Sequence, residues 1–317
     1  MHHDVLTVTL NPTLDVSTTV AKLIDHAKLR CTPEREQVGG GGINVAQVLH
    51  SLGGNCRAFL PAGGTRGQEI LEALAAAKLD TLPVPIAERN RQCFTVYESD
   101  TGHEYRFLLP GPKLSSQELT DCLSAVLQNL PTQYLVLSGS LPPGVPEDFY
   151  ATIIRAVRQR APGLRIVVDT SGQALSDALN AGVFLCKPSR EEFVELTGCD
   201  NTKAQKPRDL VAACRQLIDQ GKSEVIALTL GADGALLVTA HQAWRVDPLS
   251  VKVTSTVGAG DSFVGGFIWS MLMSADWVKA VKVGTAAAAA ALQTQGDLRF
   301  EGGAILAASE SVVVTPA

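Results

Sequence analysis

Residues 255–262 read Ser-Thr-Val-Gly-Ala-Gly-Asp-Ser, and an apolar segment, "FVGGFIWSML", follows at once. Gly258, Ala259 and Gly260 are nearly bare backbone in front of one carboxylate, Asp261, at what reads as the start of a helix. The first N–H groups of a helix have no carbonyl partner within it, and they carry partial positive charge. Glycine lets an anion come close to such groups. Asp261 cannot itself hold a phosphate, because like charges repel. It can take the proton of a hydroxyl that attacks a phosphoryl group held by the neighbouring N–H groups. The turn therefore predicts phosphoryl transfer to an alcohol. The alternative is an aspartate that only caps its helix, a common duty for this residue type.

A second glycine-rich stretch, "VGGGGINVA", brings Gly40, Gly41 and Asn44 to another helix start. It suits close approach of backbone to a ligand. Its plainer alternative is a flexible turn with an asparagine cap. It does not fit G-x-G-x-x-G, and the chain contains no G-x-x-x-x-G-K-[ST], so neither a dinucleotide fingerprint nor a P-loop is present.

These residues need a rigid frame. Short apolar runs such as "VLTVTL" (5–10), "YLVLSGS" (134–140), "RIVVDTSG" (165–172) and "VFLCKPS" (183–189) read as strands. Helical patterns such as "INVAQVLHSLGG" (43–54) and "GQEILEALAAAKL" lie between runs of this kind. The alternation predicts an α/β fold, a mainly parallel sheet covered on both faces. Residues 14–37 and 92–108 break the rhythm. The second reads as a hairpin around Asp100-Thr101-Gly102, and together the two predict a small separate sheet.

The 317 residues are 45% hydrophobic and 19% charged, with net charge −5. That supports a substantial core and argues against a general nucleic-acid or membrane-surface binder. The seven cysteines (31, 56, 93, 122, 186, 199, 214) are scattered without a CxxC pair, as expected of free thiols in a reducing cytoplasm. No signal peptide is apparent in "MHHDVLTVTLNPTLD", and "AVKVGTAAAAAALQ" is too short and weakly apolar to span a bilayer.

The two glycine motifs, in this order and with "TVTLNPTLD", "KLRC", "FLPAGG", "YRFLLPG", "LSGSLPPGV" and "VDTSGQAL", resemble the ribokinase-like (PfkB) family of carbohydrate kinases over nearly the whole chain. The likeness is strongest to members that act on sugar phosphates. It implies a ribokinase-like three-layer α/β/α sandwich, with a kinase domain of residues 1–13, 38–91 and 109–317 and a β-sheet lid of 14–37 and 92–108. It implies ATP- and magnesium-dependent phosphorylation of fructose 6-phosphate at its 1-hydroxyl. Fructose 1-phosphate and tagatose 6-phosphate are the alternative acceptors, and a non-catalytic sugar-phosphate-binding regulator is the alternative from another class.

The same resemblance implies roles. Asp261 would be the base, and the N–H groups of Gly258, Ala259 and Gly260 the anion hole. Asp15, Gly40, Gly41 and Asn44 would hold sugar hydroxyls, while Lys28, Arg30, Arg91 and Ser140 would meet the sugar's own phosphate. Arginine suits that duty because its fork matches phosphate oxygens. Lys187, Ser189, Thr229, Gly231 and Gly234 would line ATP, with Glu192 holding magnesium through water. Ser189 stands where the family usually carries asparagine, with a shorter reach to a metal-bound water. A monovalent cation, potassium, is implied near the anion hole, although Thr294 stands in "ALQTQGDL" where asparagine is expected. The implied partner is a second copy of the chain, joined through the lid. No nucleic acid or membrane is implied, and the implied compartment is the cytoplasm.

Overall fold

The structure, a computed structural model, describes residues 2–198, 206–294, 298 and 300–317. The chain opens with β1 (Val5–Val8), then leaves for β2 (Thr13–Val20) and β3 (Arg35–Gly39). It returns through α1 (Gly41–Ser51), β4 (Cys56–Ala62), α2 (Gly64–Ala76) and β5 (Thr81–Pro85). A second excursion makes β6 (Arg91–Glu98) and β7 (Glu104–Phe107). Helix and strand then alternate through α3 (Ser116–Gln128), β8 (Tyr134–Ser138), α4 (Phe149–Arg160), β9 (Arg165–Asp169), α5 (Gly172–Asn180) and β10 (Val183–Cys186). Next come α6 (Arg190–Thr197), α7 (Pro207–Asp219), β11 (Ser223–Thr229), β12 (Ala235–Thr239) and β13 (Ala243–Val246). The chain closes with α8 (Ala259–Ser274), α9 (Trp277–Leu292), α10 (Gly302–Ser309) and β14 (Val314–Pro316).

Among the described residues, ten strands form one sheet in the order β14-β13-β12-β11-β10-β9-β8-β1-β4-β5. Pairing is parallel from β5 to β11 and antiparallel at the β12–β14 edge. Alternate residues of one strand serve opposite faces. Leu135 and Leu137 of β8 enter the core beneath α3–α7, while Tyr134 and Val136 enter the core beneath α1, α2, α8 and α9. This makes three layers, α/β/α, and explains why the strands read as unbroken apolar runs. Chain order reverses at β1, which lies between β8 and β4. The crevice beyond the carboxyl ends of β1 and β8 is the switch point where open α/β sheets bind ligands.

The two excursions build a second sheet, β3-β2-β6-β7. Its outer pairs are antiparallel, but β2 and β6 are parallel. The reason is topological: both strands leave the main sheet, after β1 and β5, in the same direction. One face is polar, with Asp15 paired to Gln37 and Cys93, and Thr95 paired to Arg106. The other carries Phe94, Tyr105 and Phe107, all exposed.

Helix α1 begins two residues earlier than the predicted Ile43, because the glycine run supplies its first turn. A side chain at Gly42 would collide with the Thr9 hydroxyl and the Val8 carbonyl. The six described cysteines are free thiols; Cys31 is exposed and the other five are buried. Burial pushes the thiols of Cys56, Cys122 and Cys186 up to about 12. Cys199 lies outside the described residues. No described helix is long and apolar enough to cross a membrane.

Candidate active site

Helices α1 and α8 converge at their N-termini, and their packing sets the site. At Gly265 a side chain would place Cβ 2.8 Å from the Val48 Cβ of α1. Only hydrogen there lets the two helices approach so closely. That approach brings Asn44 of α1 to Asp261, with Asn44 Nδ2 donating to Asp261 Oδ2 at 2.7 Å. The buried Ser138 hydroxyl, at the end of β8, reaches Asp261 Oδ1 at 3.5 Å.

The N-cap of α8 is Gly258, in the left-handed region at φ 73°, and no side chain caps it. Asp261 is therefore not a cap: its oxygens face Asn44 and Ser138 instead. Asn44 is not one either, since Gly40 holds the α1 cap position at φ 126°. The N–H groups of Ala259 and Gly260 open α8 without helical acceptors. Burial pushes the Asp261 carboxyl above its ordinary value, while the Asn44 bond, the Lys187 charge and Ser138 draw it back.

A cavity of about 270 Å³ spans from this turn to the small sheet. Asp15, Gly40, Gly41, Asn44, Arg91, Gly258 and Asp261 all line it. Asp15, on β2, is raised by burial and steadied by the Thr13 hydroxyl, Arg106 and Arg91. Gly41 is obligatory here, because a Cβ would fall 2.2 Å from Ser138 Oγ. Arg91 donates to the Asn11 carbonyl at 3.1 Å and lines a second space of about 700 Å³ together with Ser140. Ser140 Oγ accepts from Asn11 Nδ2 at 3.2 Å.

Lys187, expected along the nucleotide, reaches the turn that opens α8. It is buried, with Nζ 3.1 Å from Asp169 Oδ1. A Cβ on Gly260 would sit 3.0 Å from that Nζ, so the ammonium lies against the anion turn. Burial alone raises the Asp169 carboxyl and would lower the Lys187 ammonium. The close contact opposes both tendencies and holds the ammonium above its ordinary value. A raised carboxyl and a raised ammonium pull the pair in opposite senses; the 3.1 Å contact favours the charged form.

Ser189 and Glu192 form a capping box at the start of α6. Glu192 N donates to Ser189 Oγ at 3.2 Å, and Ser189 N donates to Glu192 Oε2 at 2.7 Å. Thr229 pairs with Ser189 and donates to the Pro188 carbonyl. Gly231 and Gly234 follow it with φ of 60° and 88°, and a Cβ at Gly234 would strike the Val246 carbonyl. Lys28 and Arg30 are exposed on the β2–β3 connection and do not line the cavity. Thr294 Oγ1 donates to the Ala291 carbonyl; residues 295–297 lie outside the described residues.

Four contributors were not singled out from sequence: Ser138, Asp169, Arg106 and Asn11. Each stands inside or beside a string that was read, "LSGS", "VDTSG", "YRFLLPG" and "TLNPTLD". Their signal is position at a strand's carboxyl end or on the inward face of a small-sheet strand. Asp169 and Ser138 end β9 and β8, which pair there.

Known proteins share this fold over nearly the whole chain. Ribokinase of Arabidopsis thaliana, solved with ribose and ATP, aligns with a TM-score of 0.75 at 16% identity, over 98% of this chain and 99% of that one. The fold is ribokinase-like. Phosphofructokinase-2 from Escherichia coli, solved in complex with potassium, aligns with a TM-score of 0.89 at 36% identity, over 98% of this chain and 100% of that one. ATP-dependent 6-phosphofructokinase isozyme 2 of Mycobacterium tuberculosis is 40% identical over 293 residues, 92% of this chain and 85% of that protein. Residues 11–300 match the pfkB family carbohydrate kinase, and the chain belongs to that family.

Proposed function

We propose that the protein transfers the γ-phosphoryl group of ATP to the 1-hydroxyl of fructose 6-phosphate, giving fructose 1,6-bisphosphate and ADP. The observation that carries the reading is the Asp261 carboxylate, 2.7 Å from Asn44 Nδ2, at the junction of a helix-start anion turn and a polar cavity. The names of the relatives favour this acceptor.

In this reading Asp261 accepts the proton of the attacking hydroxyl, and Asn44 and Ser138 fix its oxygens toward that hydroxyl. Asp15 and the backbone of Gly40 and Gly41 hold sugar hydroxyls. Arg91 and Ser140, with Arg106 added from the geometry, meet the phosphate already on the sugar. The N–H groups of Gly258, Ala259 and Gly260 take the charge that develops on the transferring group, with the Lys187 ammonium against the same turn. Ser189, Thr229, Gly231 and Gly234 lie along the nucleotide. The small sheet closes over the sugar and excludes water, which otherwise would accept the phosphoryl group.

Magnesium would neutralise phosphate charge. Among the described residues no group of three His, Cys, Asp or Glu side chains could hold a metal ion. That suits an ion held chiefly by phosphate oxygens and water. Glu192 fits a water-mediated role, since the capping box fixes its carboxylate at a helix start. Potassium near the anion turn belongs to the same reading, and the Escherichia coli relative was solved in complex with potassium. A homodimer through the small sheets would cover Phe94, Tyr105 and Phe107, which are 39%, 36% and 51% exposed. It would also carry Lys28 or Arg30 toward the neighbouring cavity. The cytoplasm, where ATP is abundant, is the compartment this reading fits.

Coupled ADP release over fructose 6-phosphate, fructose 1-phosphate and tagatose 6-phosphate, with magnesium present, tests the proposal. The expected result is the highest kcat/KM for fructose 6-phosphate. Sugar-phosphate binding without ADP release would instead identify a regulator.

A further inference from the structure

We propose that Asn11 is a positioning residue for the phosphate already on the acceptor: its side-chain amide turns the Ser140 hydroxyl proton toward that phosphate, and its main-chain carbonyl steadies Arg91. The inference rests on the kinase reading and deepens it, giving a role to a residue that the sequence left unassigned.

The loop from β1 to β2 carries Asn11 into the crevice beyond the carboxyl end of β1. Ser140 follows β8, which pairs with β1 in parallel, so the two residues meet over one end of the sheet. Arg91 opens β6 opposite Thr13 of β2. All three line the space of about 700 Å³, and Asn11 is 5% exposed.

Arg91 is fixed at its root and then at its tip. The preceding residue, buried Asn90, accepts from Gly63 N at 2.8 Å and donates to the Pro61 carbonyl at 3.0 Å. The guanidinium is what remains to be placed, and Arg91 Nη2 donates to the Asn11 carbonyl at 3.1 Å. Arg91 Nε is buried and has no hydrogen-bond partner among the described residues.

The Asn11 side chain acts on Ser140 instead. Asn11 Nδ2 donates to Ser140 Oγ at 3.2 Å. Gly111 sets the other end of the amide. A Cβ at Gly111 would strike Asn11 Oδ1, so an α-hydrogen points at that oxygen. An amide oxygen takes a Cα–H as a weak partner, whereas an NH₂ group turned the same way would meet it with its own hydrogens. The orientation matters because a serine hydroxyl has one proton and two lone pairs. With one lone pair taken by Asn11, the Ser140 proton is left to be donated elsewhere. A phosphate only accepts, so a hydroxyl already supplied with a donor is the form that recognises it.

Asn11→Asp keeps the side chain's size and exchanges the donor for an acceptor. The carboxylate draws the Ser140 proton to itself and sets a negative charge beside the phosphate. The expected result is a KM for the sugar phosphate raised about tenfold or more, with kcat and KM for ATP within about threefold of wild type. Asn11→Ala removes the donor without adding charge, and the same KM rises roughly threefold to tenfold, the effect of one neutral hydrogen bond. The Asn11→Ala/Ser140→Ala double variant is no worse than Ser140→Ala alone, because the amide acts through the hydroxyl. Thermal melting separates a local effect from loss of fold, and loss of fold in both Asn11 variants would make the residue structural and overturn the proposal. An unchanged KM in Asn11→Asp overturns it, as does an equal rise in both KM values. Additivity in the double variant does so too, since Asn11 would then touch the phosphate itself. If wild-type protein releases no ADP with any sugar phosphate, the kinase reading fails and calorimetric titration with fructose 6-phosphate decides this inference. Weaker binding to Asn11→Asp than to wild type supports it, and equal or absent binding overturns it. An active wild type with indifferent variants overturns the inference alone.

Discussion

Asp261 and Asp15 face one cavity from opposite walls, and the two walls are built differently. Asp261 stands on a helix that a glycine contact presses against its neighbour, with buried Asn44 and Ser138 on its oxygens. Asp15 stands on a four-stranded sheet, with a hydroxyl two residues away and two arginines nearby. Burial raises both carboxyls above their ordinary value. The helix wall fixes a reacting group within a close-packed core, where small displacements are resisted. The sheet wall holds its groups through cross-strand neighbours and leaves Phe107 and Leu108 open to solvent. Chemistry is assigned to the first wall, and acceptor recognition and closure to the second.

Substitutions on each wall should therefore separate kcat from KM. The largest effect is expected at Asp261→Asn, with kcat lowered by roughly 10²–10⁴-fold and KM for the sugar phosphate little changed. Retention of half the activity at neutral pH would remove the base from the helix wall. On the sheet wall, Arg91→Ala should raise KM for fructose 6-phosphate far more than KM for ATP, by about 1.5–3 kcal/mol of lost contact. Arg106→Ala should act in the same direction and less strongly, since its side chain is 42% exposed. Equal effects on both KM values would take these arginines out of the acceptor site.

Gly265→Ala tests the packing beneath the helix wall without touching substrate. The added methyl meets Val48 Cβ at 2.8 Å and the Val45 carbonyl at 3.0 Å. Overpacking of this kind costs about 1–3 kcal/mol. Urea unfolding should show that loss, and kcat should fall severalfold as Asn44 and Asp261 separate. A variant as stable and active as wild type would show that the glycine contact does not set the site.

The smallest effects are in pH dependence. Asp261 must be ionised to accept a proton, and burial raises its carboxyl, so the acid limb of kcat/KM, which reports the free enzyme, should lie above the ordinary value of 3.8. Activity is gained as pH rises through that limb and lost as it falls. Stability carries the opposite sign. The folded state binds the proton more tightly than the unfolded chain, so ionisation costs stability as pH rises from 3.8 through the raised value. Asp261→Asn should accordingly melt no lower than wild type at neutral pH. A clear drop would mean that the carboxylate, as a charge, holds the fold together.

The sequence by itself determined the frame and the central chemistry. Unbroken apolar runs between helical patterns required a sheet covered on both faces, and the order glycine, alanine, glycine, aspartate at a helix start pointed to an anion turn with a carboxylate beside it, a capping aspartate being the alternative. Both signals are local, carried by neighbours a few residues apart. The partners of that carboxylate were not local. Ser138 and Asp169 end strands that read simply as apolar, and nothing in "LSGS" or "VDTS" distinguishes an inward hydroxyl or carboxylate from a turn residue. The parallel pairing of β2 with β6 likewise joins segments separated by β3, α1, β4, α2 and β5, so no hairpin signal could announce it. Lys187 was read as a nucleotide contact from its string, while its buried place between Asp169 and the anion turn came from the stacking of β9 against β10 and the seat of α8 above them. Short-range pattern fixes which residues can do chemistry. Tertiary packing decides which of them meet, because strand order and helix approach depend on burial summed over the whole core.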